Sequence, residues 1–142
     1  MPFRKKATED RGATLRKVAF FDGFDDHELE RVAQLAEEVW AEPGAVLIDQ
    51  GKPGQECFVI VEGEVSVFRG LQKIATLRAG DMVGENALIE HTPRNATVTA
   101  ITPLQLLSFD TAAFRRLLDE MPKVKEKVDA LLRERAARFK EE

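Results

Sequence analysis

Gly80-Asp81-Met82-Val83-Gly84-Glu85-Asn86-Ala87-Leu88-Ile89, closed by Pro93-Arg94-Asn95-Ala96-Thr97-Val98, is the stretch around which the chain is organised. It is too polar to be only core and too patterned to be only loop. Gly80-Asp81 reads as a turn, because Gly tolerates positive φ and Asp can hydrogen-bond its own backbone. Gly84 removes a side chain just before Glu85. Glu85 to Ile89 is expected to form one short helical turn, with Ala87 and Leu88 as good helix formers. The first N–H groups of such a turn are unpaired and suit an anion, above all a phosphate. Arg94 supplies a planar cation fitted to bidentate phosphate contact. Glu85 supplies an acceptor for a hydroxyl. One acid and one base on a tight loop thus suit a ligand that carries both a hydroxyl and a phosphate.

Working outward, the chain shows a change of period. Leu15, Val18, Ala19, Phe20 and Phe21 form an apolar patch that Asp22-Gly23 breaks. Asp25 and Glu28 stand in capping-box spacing, and Leu29, Val32, Ala33, Leu35 and Ala36 follow at helical spacing. This helix is expected to end near Glu38. From Val39 the period becomes two, and short strand patterns alternate with turns at Glu42-Pro43-Gly44, Gly51-Lys52-Pro53-Gly54, Gly63-Glu64 and Arg69-Gly70-Leu71-Gln72. Cys57 to Glu62 is an apolar strand. Ala96, Val98 and Ala100 share one face of a later strand, with Thr97 and Thr99 on the other. About eight short strands at close spacing imply an antiparallel sandwich or roll. At Thr111 the helical period returns. Asp110 is the cap, and Phe114, Leu117 and Leu118 face inward. Met121-Pro122 ends or kinks that helix. A last helix carries a thin stripe of Val124, Val128, Leu131, Leu132, Arg135 and Phe139.

Composition bounds the function. The 142 residues suit one domain, with 44% hydrophobic and 32% charged residues. The net charge of −4 is uneven: residues 1–17 carry six Lys/Arg against two acids and residues 123–142 seven against five, leaving about −10 for the middle. An acidic body argues against general nucleic-acid binding, which needs a basic face. The single cysteine, Cys57, excludes an internal disulfide and reads as a buried thiol. No apolar run approaches the roughly 20 residues of a membrane span, and Arg4-Lys5-Lys6 is not followed by an apolar stretch, so no membrane partner and a cytoplasmic place are expected. His27 and His91 fall in separate turns. There is no Ser-His or Cys-His pairing, no metal-ligand spacing and no P-loop, so neither enzyme chemistry, nor a metal, nor a cofactor is expected.

Gly84-Glu85-Asn86-Ala87-Leu88 and Pro93-Arg94-Asn95-Ala96 together resemble the phosphate-binding cassette of the cyclic nucleotide-binding domain family, the catabolite activator and protein kinase A regulatory type. The resemblance extends over roughly residues 15 to 120. It implies an α+β fold, an antiparallel β-roll flanked by N-terminal and C-terminal helices. The parts are then a flexible 1–13, N-terminal helices in 14–38, a roll in 39–110 with the cassette at 80–98, and C-terminal helices in 111–142. It implies cAMP or cGMP as ligand, with Glu85 on the ribose 2′-hydroxyl, Arg94 on the cyclic phosphate, and Gly84, Asn86, Ala87, Asn95 and Ala96 around them. Asn86 stands where the family has an apolar residue, and Asn95 where it has Ser, Thr or Ala; Asn95 can donate to a phosphate oxygen. The implied role is a sensor that signals through its C-terminal helix to a protein effector, as a monomer or as a homodimer through that helix. No DNA-binding domain is expected after Glu142. The alternative is a degenerate module of the same fold, an interaction or structural unit without nucleotide.

Overall fold

Asp25 starts the first long helix as its sequence indicates. Its carboxylate accepts from the Glu28 amide at 2.8 Å, while the Glu28 side chain accepts from the Asp25 amide at 2.9 Å. This capping box satisfies two of the amides that a helix start leaves unpaired. The computed structural model describes residues 3–5, 15–16, 18–85, 88 and 93–139, with side chains for all of these but 3–5 and 136–139. Helix α1 spans Asp26–Leu35, preceded by a 3-10 turn over Ala19–Phe21, and Ala36 ends it in extended conformation. The expected run to Glu38 is therefore three residues too long. Val39 and Ala41 point into the roll, and Glu37 and Glu38 are drawn into their strand despite being good helix formers.

Among the described residues there are nine strands, of which the last eight follow the expected pattern: β1 Phe3–Lys5, β2 Glu37–Ala41, β3 Val46–Ile48, β4 Glu56–Glu62, β5 Glu64–Arg69, β6 Gln72–Arg78, β7 Met82–Val83, β8 Thr97–Ala100 and β9 Leu104–Asp110. They pair antiparallel throughout, in a five-stranded sheet of order β1-β2-β9-β4-β7 and a four-stranded sheet of order β3-β8-β5-β6. Strand β1 corrects the expectation of a flexible segment over 1–13 at three positions; the rest of that segment lies outside the described residues. Phe-Arg-Lys is too short to show a period, whereas the open edge of β2 offers it a row of backbone partners.

Strands β4 and β9 read as unbroken apolar runs because both of their faces are covered. Phe58 and Ile60 of β4, with Leu104 and Leu106 of β9, fill the space between the two sheets. Cys57, Val59 and Val61, with Leu107 and Phe109, face a second cluster under the helices. Helix α2 spans Thr111–Glu120, capped by Asp110, whose carboxylate accepts from the Ala113 amide at 2.8 Å. Met121 is extended, and α3 runs over Pro122–Phe139. Val124 and Val128 are fully buried in the helix-side cluster, with Leu131 and Leu132 half-buried against it. Among the described residues no helix is long and apolar enough to cross a membrane.

Candidate ligand-binding site

Strand β7 is two residues long because Gly84 interrupts it. The glycine sits at φ +87°, and a Cβ there would fall 2.8 Å from Arg94 Nη1, 2.9 Å from Ile48 Cδ1 and 3.3 Å from the Glu56 carbonyl oxygen. Position 84 thus has no room for a side chain and a backbone that L-residues rarely adopt. Glu85 and Leu88 lie in a helical turn, as expected. Asn86 and Ala87, both expected in the site, and His91 beside it, lie outside the described residues.

Arg94, although it lies on a loop, is buried: it is 7% exposed. Its Nη1 donates to the Gly84 carbonyl at 2.7 Å and its Nη2 donates to the Glu56 carbonyl. Two backbone oxygens therefore aim the guanidinium and leave further N–H donors of its planar fork for another acceptor. Its backbone is held as well. The Arg94 amide donates to the Lys52 carbonyl at 2.8 Å, the Gly51 amide donates to the Arg94 carbonyl at 2.9 Å, and Pro53 bridges Pro93. Burial lowers the pKa of Arg94; a guanidinium stays charged regardless. Ala96 is buried among the residues between the sheets, whereas Asn95 is exposed.

Glu85 is 2% exposed. Its Oε1 accepts from Arg135 Nη1 at 2.7 Å, and Arg135 Nη2 also donates to the Met82 carbonyl at 2.5 Å. Among the described residues Oε2 has no hydrogen-bond partner. Burial pushes the Glu85 pKa up; the cations of Arg135 and, more weakly, Arg94 pull it back. Arg135 is the partner of Glu85 that local sequence spacing does not reveal. It was read only as a member of the thin stripe of the last helix, although it lies 50 positions from its partner and is 15% exposed. No local spacing signals such a pair; a cation on a mostly apolar helix face is the one available sign.

The arrangement brings together Gly84, Glu85 and Arg94, with Ala96 two residues further on in the core between the sheets. It can offer an anion the Arg94 donors and a hydroxyl the Glu85 acceptor. Cys57 lies nearby in β4, fully buried, and burial followed by the charge of Glu85 pushes its thiol well up, so it is not a nucleophile. His27 is exposed in the first turn of α1, away from these residues in the chain. Among the described residues no cluster of His, Cys, Asp or Glu is suited to a metal.

Comparison with known proteins matches the family model of the cyclic nucleotide-binding domain to residues 38–121. The chain is 38% identical over 105 residues to a cAMP-dependent protein kinase regulatory subunit of Schizosaccharomyces pombe, covering 73% of this chain and 26% of that protein. It is 34% identical over 136 residues to the acetyltransferase Pat of Mycolicibacterium smegmatis, covering 93% of this chain and 40% of that protein. The chain therefore spans well under half the length of either relative. The crystal structure of a cyclic nucleotide-binding domain from Methylobacillus flagellatus superposes with a TM-score of 0.76 at 28% identity, over 99% of this chain and 85% of that one.

Proposed function

This chain belongs to the cyclic nucleotide-binding domain family, and on that premise we propose that it is a sensor module that binds cAMP or cGMP and signals through α3. One observation carries the reading: a buried acid and a buried arginine converge on the same end of the roll, and the glycine just before the acid leaves room for the arginine. Arg94 holds the cyclic phosphate with the donors left free by Gly84 and Glu56. Glu85 takes the ribose 2′-hydroxyl on Oε2, the oxygen without a partner among the described residues. Base contacts would come from α3.

Signalling follows from Arg135. It ties α3 to Glu85 and to Met82, so a hydroxyl arriving at Glu85 bears directly on how the helix is held. The first half of α3 is anchored by Val124 and Val128; Leu131, Leu132 and Arg135 are only half-buried, and the helix from Leu131 onward is the part that shifts. The module regulates and does not itself catalyse. Relatives sharing this region carry unlike names, a kinase regulatory subunit and an acetyltransferase, which supports a regulatory part for the shared region and a separate protein effector.

Isothermal titration with cAMP and cGMP tests the reading. Arg94→Ala should weaken binding by about 2–5 kcal/mol, the usual loss on truncating one partner of a buried charged contact. Arg94→Lys should recover part of it, since an ammonium lacks the planar fork. Glu85→Ala should cost less than Arg94→Ala, because it removes one hydroxyl acceptor and not the charge that offsets the acidic body. A folded Arg94→Ala that binds like wild type overturns the assignment. Wild type that binds neither nucleotide leaves the ligand-free structural module.

A further inference from the structure

Glu56 stands in a place that the ligand roles above do not use. It opens β4, on the same face as Phe58 and Ile60, which fill the space between the sheets. Its Oε2 accepts from Ser108 Oγ at 2.8 Å, and Ser108, 4% exposed, sits in register with Phe58. Its carbonyl accepts from Arg94 Nη2. A fixed carboxylate is thus held against the end of the roll where Arg94 is aimed, and its charge acts on that arginine. A site built only to attract phosphate would not place an acid there.

We propose that Glu56 is a specificity-determining residue that makes the site select a singly charged phosphodiester over a doubly charged phosphomonoester. This rests on the cyclic nucleotide reading above. Among the described residues, the charged groups tied together at this end of the roll are Arg94 and Glu56, together with Glu85 and its partner Arg135 from α3. The Cys57 thiol behind them is neutral. They nearly cancel. A monoanion is held by the directed donors of Arg94, which do not depend on net charge. A second negative charge gains little from a balanced set and still loses its hydration, which is costly at a buried site. Ser108 keeps the Glu56 carboxylate in place, so the balance belongs to the built site and not to a mobile surface acid.

The ligand itself supplies the test. The second ionisation of a phosphomonoester lies near pH ~6, whereas a cyclic phosphodiester keeps one charge throughout. Displacement of a fluorescent cyclic nucleotide by 5′-AMP and by cAMP is measured at pH 7.5 and 5.5, on wild type and Glu56→Gln. In wild type, 5′-AMP should displace about tenfold better at pH 5.5 while cAMP changes little. In Glu56→Gln the pH effect on 5′-AMP should shrink, and its affinity relative to cAMP at pH 7.5 should rise about tenfold, as expected for removing one nearby charge in a partly screened site. If Glu56→Gln does not fold, the wild-type profile decides alone: 5′-AMP binding equally weak or equally strong at both pH values overturns the proposal. An unchanged ratio in a folded Glu56→Gln overturns it too, while leaving the cyclic nucleotide reading intact. Failure of wild type to bind any cyclic nucleotide removes both.

Discussion

Gly84→Ala is the substitution that most directly separates the site from the fold. A Cβ there meets Arg94 Nη1 at 2.8 Å and Ile48 Cδ1 at 2.9 Å, on a backbone at φ +87°. Gly44 shares that φ with nothing within 4 Å of its Cβ. Gly44→Ala should therefore cost only backbone strain, about 1 kcal/mol. Gly84→Ala should cost about 1–3 kcal/mol and also displace Arg94, so it weakens cyclic nucleotide binding where Gly44→Ala does not. Urea denaturation and titration on the two variants check both halves. That Gly84, Glu85 and Arg94 lie together is legible in the sequence because one short loop carries all three. Arg135 was not, because its pairing with Glu85 depends on how a helix 50 positions later crosses the roll. The burial of Arg94 was missed for a related reason: the carbonyl of Glu56 that draws it inward lies on a different strand.

Helix α3 is tied to the site through Arg135, and its hold should depend on pH. Burial raises the Glu85 pKa above its ordinary 4.5, and Arg135 is the foremost group opposing that rise. A carboxyl whose folded pKa is raised favours the fold most below its ordinary value, and that contribution is lost as pH rises through the raised value. Removing Arg135 lifts the value further and leaves a buried carboxylate unpaired near neutrality. Arg135→Met should accordingly lose about 3 kcal/mol at pH 7 and much less at pH 4.5, as read by urea denaturation at the two pH values. Hydrogen exchange should show cyclic nucleotide altering protection of α3 from Leu131 onward more than at Val124 or Val128. Equal protection with and without ligand would count against signalling through this helix. Element starts were easier to read than element ends. Asp25 and Asp110 mark their helices through caps that act within three residues. The end of α1 was set instead by the demand of β9 for a partner strand.

At the scale of the whole molecule, the period change at residue 39 and its reversal at Thr111 were enough to anticipate a roll between helices. What they could not show is which apolar run faces which cluster. β4 and β9 are buried on both sides, and periodicity vanishes where both faces are apolar. Substitutions in these strands should therefore be the most costly. Phe109→Ala, at a fully buried position of β9, should cost about 3–5 kcal/mol. Leu71→Ala, on the fully exposed tip between β5 and β6, should stay within about 0.5 kcal/mol. Thermal melts of the two variants separate the cases. The clamp on Arg94 has a further consequence, in the order of folding. Its backbone pairs with Gly51 and Lys52, and its side chain reaches a carbonyl 38 positions away. Such contacts form only after long loops have closed. The pocket should then be among the last features to assemble, and a peptide of residues 80–98 alone should not bind a cyclic nucleotide. Ligand would slow unfolding without speeding folding, because it recognises a geometry that the transition state has not reached.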